Sequence, residues 1–227
     1  MGTQIETRRP SRRDRALGAG LRARTTLAPT LSLSLSLFLA LTGCLTSSSR
    51  HAPPIEARDA TGFSLTETTR ISAGDRTDFD EANHALAAGQ LDSAIAILTR
   101  LTNESPALTA AHVNLGIAQH RNGDLPAAEA ALEAALELNP NHPVALNELG
   151  IVYRGMGRFQ DARSRFEAAL ATYPELHYAR RNLAILCDLY LADPACALEQ
   201  YERLRVSLPG DEKVEMWIVD LRHRMGS

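Results

Sequence analysis

The feature that most constrains the fold is a unit of 34 residues that occurs twice in succession between Thr109 and Pro174. The same residue types return at the same offsets in both copies. These pairs are Leu115 and Leu149, Gly116 and Gly150, Gly123 and Gly157, Ala128 and Ala162, Leu132 and Phe166, Ala135 and Ala169, and Pro140 and Pro174. A period of this length with regular glycine and proline indicates stacked helical hairpins, because a single hairpin cannot bury its apolar face alone.

Composition supports a soluble helical body, since 44% of the residues are apolar and only 5% are aromatic. Charge is unevenly distributed along the chain. Seven of the 24 basic residues but only two of the 27 acidic residues precede Cys44, which leaves the remainder with a formal charge of about −8. Binding to nucleic acid depends on neutralising phosphates with Lys and Arg, so an acidic body predicts no nucleic-acid partner.

The N-terminal segment has the order of an export signal. Seven arginines precede an apolar run from Leu27 to Leu41, and the small residues Thr42 and Gly43 follow it before Cys44. The run is shorter than the ~20 apolar residues of a membrane-spanning helix. Its alternation of Leu and Ser also fits a buried β-strand, and an ordinary anchor helix is the other alternative.

The residues from Leu41 to Cys44 resemble the lipobox of bacterial lipoproteins. This resemblance implies that residues 1–43 are a signal peptide and that Cys44 carries the lipid, including a palmitate-like acyl chain. Because Leu45 is not the aspartate that the family uses for inner-membrane retention, it also implies an anchor at the periplasmic face of the outer membrane. Residues 44–77 are polar and rich in Ser, Thr and Pro, which predicts a flexible, disordered tether.

The repeated offsets resemble the tetratricopeptide repeat over about residues 78–209. The resemblance implies an all-α solenoid of four helical hairpins, at about 75–108, 109–142, 143–176 and 177–210, with one extra residue between Tyr190 and Ala195. Glycines at Gly89, Gly123 and Gly157 are expected to end the first helix of each pair in a left-handed conformation. Residues 211–227 are expected to form a capping helix with Trp217 and Met225 on its buried face and charged residues on its outer face.

Motifs for catalysis are missing from the sequence. It contains no Ser-x-x-Lys, G-x-S-x-G or His-Glu-x-x-His, and its seven histidines lack the paired spacing of a metal site. We therefore expect no enzymatic activity, cofactor, metal or small-molecule substrate. With Cys44 assigned to the lipid, Cys187 and Cys196 remain in an oxidising compartment, where they either form a disulfide or stay reduced in the core.

A partner-binding groove is predicted on the inner surface of the superhelix, which the first helix of each hairpin lines. Three isoleucines recur there at the repeat period and carry a basic rim. The predicted groove residues are Val113, Ile117, His120, Arg121, Asn147, Ile151, Arg154, Tyr178, Arg181 and Ile185. Such a surface fits a peptide or helix with apolar anchors and some negative charge. The alternative is that each isoleucine only packs against the neighbouring repeat.

These observations lead to one main functional hypothesis. The resemblances imply a lipid-anchored periplasmic adaptor that holds a protein partner during assembly of an envelope machine, such as a pilus, secretion or transport system, as pilotins do. The alternatives are a regulator or docking factor of a cell-wall enzyme, and a cytoplasmic repeat protein whose N-terminus is never cleaved.

Overall fold

A computed structural model of the chain describes residues 55–58, 64–67 and 69–226. The predicted signal peptide, Cys44 and most of the predicted tether lie outside these residues. The described part contains nine α-helices: α1 Ala73–Ala87, α2 Leu91–Glu104, α3 Thr109–Arg121, α4 Leu125–Leu138, α5 Pro143–Gly155, α6 Phe159–Thr172, α7 His177–Leu189, α8 Pro194–Ser207 and α9 Glu212–Met225. None of the helices in this part is long and apolar enough to cross a membrane.

Helices α1 to α8 form four antiparallel hairpins, each of which packs against the next one along the chain. Helices α3, α5 and α7 begin at Thr109, Pro143 and His177, the three internal boundaries expected from the 34-residue period. The described part is therefore the all-α tetratricopeptide-repeat solenoid that the sequence predicts. Its core runs along the stack between the two helices of each hairpin and the neighbouring hairpin.

Two short strands precede the first helical hairpin. Strands β1, Ile55–Arg58, and β2, Ser64–Glu67, pair antiparallel, with Ile55 opposite Glu67. Both strands lie within residues 44–77, where the sequence predicts a tether. Two short runs that flank a Gly-containing connection are a hairpin signal, which the overall polarity of the segment concealed. Helix α1 also begins before Asp78, since Ser72 and Asp75 form a reciprocal capping box at its N-terminus. Ile71, only 4% exposed, packs into the core of the first hairpin.

The turns within the hairpins depend on left-handed residues. Gly89, Gly123 and Gly157 have φ angles of 73°, 86° and 77°, which confirms the conformation expected from the sequence. The fourth turn contains the extra residue, and there Ala192 adopts a φ of 52° without the freedom of glycine. A left-handed conformation costs a residue with a Cβ about 1–2 kcal/mol, so the fourth turn is the strained one.

Two helical glycines allow the helices of a hairpin to approach closely. A Cβ on Gly116 would lie 2.5 Å from Leu132 Cγ, and one on Gly150 would lie 2.6 Å from Phe166 Cε1. Both neighbours belong to the second helix of the same hairpin and are fully buried. The expected contact between the small residues of the first helix and the second helix is therefore present in these two repeats.

Helix α9 packs on the last hairpin, and its outer face carries the predicted charged residues together with two exposed apolar residues. Asp211 caps the helix as expected, and Val214, Ile218 and Leu221 are buried. Met225, predicted to be buried, is 42% exposed, and Met216 and Val219 are 59% and 66% exposed. Helical spacing places Met225 on the buried face, but this residue is exposed because it is the last one of α9. The exposed Met216 and Val219 were not anticipated, because the sequence prediction divided the helix into one apolar and one polar face.

Candidate functional site

The inner surface of the solenoid is formed by the first helix of each hairpin. Helices α1, α3, α5 and α7 contact their successors directly, whereas the second helices of the hairpins approach one another much less. A stack of hairpins curves towards the side on which its helices lie closer together. The predicted groove residues lie on α3, α5 and α7, or at their ends, and hence on the concave side.

The isoleucine row is present on this surface. Ile117, Ile151 and Ile185 are each partly buried, and Ile117 and Ile151 also pack against the core between repeats. Ile117 and Ile151 therefore support the stack with part of the side chain, and all three isoleucines keep some exposed surface. Tyr178, 36% exposed, lies at the start of α7.

Two of the predicted groove residues are too deeply buried to contact a ligand. Val113 is 3% exposed and lies in the core, and Asn147 is 2% exposed. Asn182 Nδ2 donates to Asn147 Oδ1 at 3.0 Å, and Asn114 Nδ2 donates in the same way to Asn83 Oδ1 at 2.6 Å. These amides connect the first helices of neighbouring repeats, so Asn147 supports the floor of the groove. Sequence spacing places a residue on a helix face but does not measure its depth.

The basic rim is partly tied into the scaffold. Arg121 Nη1 donates to the Leu86 carbonyl of the preceding repeat at 2.9 Å, and Arg181 Nη2 donates to Asp211 Oδ2 at 3.2 Å. Arg154 has its guanidinium carbon 6.0 Å from the centre of the Tyr190 ring. Each of these contacts orients its arginine. The hydrogen bonds of Arg121 and Arg181 also use some of the donors that a ligand could otherwise bind.

Two titratable groups on α3 and α5 are perturbed by their position on this surface. Burial, with a smaller contribution from the nearby positive charge of Arg154, lowers the pKa of His120 and favours the neutral imidazole. Burial raises the pKa of Glu148 to about 7, although a hydrogen bond from Asn147 Nδ2, at 3.0 Å, partly opposes this shift. Near neutral pH, Glu148 is therefore protonated in part of the molecules, where it can donate a hydrogen bond, and ionised in the rest, where it only accepts.

Glu148 is the residue that the sequence prediction missed. It occupies the repeat position of Asn114 and Asn182. The 34-residue period was sufficient to locate it, because an acid stands where the two neighbouring repeats have an amide. The period therefore identifies a place where the middle repeat departs from the pattern of its neighbours.

The two cysteines of the fourth hairpin are bonded in the structure. The Sγ atoms of Cys187 on α7 and Cys196 on α8 are 2.06 Å apart, and the Cα atoms are 5.9 Å apart. These cysteines and Asp193 also place one potential metal-ligand atom each within 4.8 Å of one another. The disulfide occupies both sulfurs, so this cluster is not a metal site in the oxidised protein.

Comparison with known proteins agrees with the repeat architecture. Two family models, each described as "Tetratricopeptide repeat", match residues 107–175 and 147–212. A protein O-mannosyl-transferase of Caenorhabditis elegans is 29% identical over 93 residues, which are 41% of this chain and 13% of that protein. The chain thus spans only a small part of that curated relative.

Solved structures with the same fold include three of interest. Pseudomonas aeruginosa pilF has a TM-score of 0.61 and 21% identity, with 66% of this chain and 68% of that one covered. MamA from Desulfovibrio magneticus has a TM-score of 0.61 and 19% identity, with 69% and 88% covered. The first repeat domain of Spaghetti, bound to an HSP90 peptide, has a TM-score of 0.50 and 21% identity, with 52% and 93% covered. At these identities the likeness concerns the fold alone.

Proposed function

This chain is a tetratricopeptide repeat protein, and we propose from that premise that it is a lipid-anchored adaptor which holds a protein partner at the cell envelope. Repeats of this family bind proteins or peptides, as the complex of Spaghetti with an HSP90 peptide illustrates. Proteins built from them are typically non-enzymatic scaffolds. The proposal adds three finer statements: the concave face binds the partner, the anchor is Cys44, and the site of action is the periplasmic face of the outer membrane.

The observation that carries the proposal is the partly open row of Ile117, Ile151 and Ile185 on three successive inner helices. Partly exposed aliphatic side chains repeated along a concave surface form a set of shallow apolar contacts, which suits an extended or helical peptide. Polar side chains such as His120 and Arg154 lie on the same helices, and they would fix the direction in which such a peptide binds.

The chemistry of the groove favours an apolar partner segment with at least one acidic group. Arg154 and His120 lie on the same helices as the isoleucine row. Arg154 is a charged donor towards a carboxylate, and His120, whose pKa is lowered by burial, still donates one N–H as a neutral imidazole. Glu148 is held largely uncharged by burial at pH below about 7, so it does not cancel this attraction in mildly acidic conditions. The partner class that we propose is therefore a protein segment with aliphatic anchors and an Asp, a Glu or a free C-terminus.

The groove is tested by the double substitution Ile151→Asp with Arg154→Glu. Captured partner should fall at least about tenfold, because an apolar contact and a favourable charge are both reversed. The measurement is quantitative mass spectrometry of crosslinked complexes purified from membranes, with the partner first identified on the wild-type chain. Retained capture would contradict the assignment of the concave face.

A matched control exists on α8. Val206 is 80% exposed, and Arg203 is an exposed arginine on the same helix. The double substitution Val206→Asp with Arg203→Glu makes the same chemical changes outside the groove, and it should leave capture unchanged. Circular dichroism of both variants should show wild-type helix content.

The anchor is tested by metabolic labelling with a palmitate analogue in the host cell. The wild-type chain should be labelled and should fractionate with outer membranes, whereas Cys44→Ser should lose both properties. The variant Cys187→Ser with Cys196→Ser is the control, since it removes the two other cysteines and should retain the label. Label that persists on Cys44→Ser would refute the lipid anchor.

A further inference from the structure

The outer face of α9 is the open end of the repeat stack. Val219 occupies the repeat position of Ala82, Gly116, Gly150 and Ala184, each of which is buried against the second helix of its own hairpin. Along the described residues no helix follows α9, and Val219 is 66% exposed. Helix α9 therefore has the form of a first helix whose second helix is supplied by nothing in the described part of the chain.

The neighbouring position supports the same conclusion. Met216 corresponds to Phe79, Val113, Asn147 and Arg181. The first three are only 4%, 3% and 2% exposed, whereas Arg181 is partly exposed and pairs with Asp211. On α9 the equivalent side chain is 59% exposed. Together with Glu215, Asp220 and His223, these two apolar residues line a shallow depression in the surface. A solenoid normally ends in a polar face, so this end is suited to continued packing.

Four residues on the exposed face of α9 form a stripe that can pair with itself in an antiparallel arrangement. Glu212, Met216, Val219 and His223 follow one another at intervals of four, three and four residues, which is the spacing of a helix-pairing stripe. In an antiparallel pair of such helices, Met216 of one copy meets Val219 of the other, and Glu212 meets His223. The apolar pair lies at the centre, and a carboxylate with a histidine lies at each end.

We propose that α9 is a self-association surface, on which a second copy of this chain packs its own α9 antiparallel. The copy occupies the position that a second helix would take against α9, and the exposed apolar residues of both copies are covered at once. This arrangement is isologous, with the same patch used on both sides, which is the commonest geometry of dimers. The contact is small, so we expect a weak and reversible dimer. This inference goes beyond the adaptor function and does not depend on the groove.

The register is tested by disulfide trapping with two differently tagged full-length chains expressed together. One chain carries Met216→Cys and the other carries Val219→Cys, and mild oxidation should join them into a mixed dimer. Chains that both carry Met216→Cys should give several-fold less product, since antiparallel pairing separates the two 216 positions. Val206→Cys is the control for random collision, because residue 206 is exposed on α8.

Charge reversal provides a second arm with the same readout. Glu212→Lys should reduce the yield of the mixed dimer several-fold, and adding His223→Glu to the same chains should restore it. Equal trapping at residues 206, 216 and 219 would overturn the proposal, as would a yield that the charge changes do not affect. A product that forms with a different cellular protein but not with the second copy would assign the surface to another partner and equally refute self-association.

Discussion

At the scale of single residues, two contacts between helices depend on glycines, because a larger residue would not fit at these positions. Gly150 and Phe166 form the clearest case, because the fully buried phenylalanine ring occupies the space that a Cβ on Gly150 would need. The same relation holds for Gly116 and Leu132. Repeats one and four have Ala82 and Ala184 at this position, so only the two middle repeats lack a Cβ at this contact.

Gly150→Ala should destabilise the protein by about 1–3 kcal/mol, because overpacking forces the Phe166 ring or the helix to move. Gly155→Ala in the same helix is the matched control. Its Cβ would lie 3.4 Å from Leu125 Cδ1, and alanine improves helix propensity by about 1 kcal/mol. Urea denaturation should therefore place the two variants on opposite sides of the wild type, and equal midpoints would argue against the close approach.

Glu148 should make the stability of the protein depend on pH. Burial raises the pKa of this carboxyl to about 7 in the folded protein, above its unfolded value, so the folded state binds the proton more tightly. Its unfavourable contribution is absent below the unfolded pKa and grows as pH rises towards 7. Glu148→Gln should therefore flatten the fall in the free energy of unfolding between pH about 4.5 and 7, by at most about 3 kcal/mol.

The matched control for this pH profile is Glu167→Gln. Glu167 is an exposed acid on α6 whose carboxylate accepts from Arg163 Nε at 2.8 Å. Since the wild type and this variant share the buried Glu148, their profiles should fall together over the same pH range. A Glu148→Gln profile parallel to the wild type would contradict the raised pKa.

At the scale of elements, the fourth hairpin differs from the others. Its turn is one residue longer, Ala192 takes the left-handed conformation that glycine takes elsewhere, and a disulfide links α7 to α8. The disulfide closes a loop with a sequence separation of 9. The disulfide lowers the conformational entropy of the unfolded chain across the same turn in which Ala192 adopts its unfavourable left-handed conformation.

Replacing Cys187 and Cys196 together by alanine should lower the free energy of unfolding by about 2–3 kcal/mol, from the loop entropy that the bond removes and the packing that the sulfurs lose. Ala192→Gly in the same hairpin should raise it by about 1 kcal/mol, because it relieves the left-handed strain. The presence of the disulfide is tested by measuring the intact mass of the protein after alkylation, before and after reduction. Two thiols that alkylate before reduction would refute it.

The helices and turns were readable from the sequence because each landmark has a local cause. Gly89, Gly123 and Gly157 ended their helices as expected, and the period set the starts of α3, α5 and α7. The sequence did not predict how deeply a side chain is buried or which residue of a neighbouring helix it contacts. The burial of Asn147 depends on the hydrogen bond from Asn182 in the next repeat, and the exposure of Val219 depends on which helix follows it. Both are properties of the stack and not of one helix.

At the scale of the whole molecule, the account combines a repeat body with an anchor that we propose at Cys44. The described body has three distinct surfaces: a concave face with a partly exposed isoleucine row, an outer face with ion pairs such as that of Arg163 and Glu167, and the exposed apolar face of α9. The partner should occupy the first, and the second copy the third. An anchored adaptor of this kind would present two binding surfaces that do not overlap in sequence.

The most direct test of the central claim is site-specific photocrosslinking in living cells. A photoreactive amino acid placed at residue 151 of the full chain should yield one discrete adduct with an envelope protein, because this residue lies within the concave row. The same group at residue 206, on the exposed side of α8, should give none. The account predicts the adduct at 151 alone; the same adduct at 206, or adducts only at 206, would contradict it.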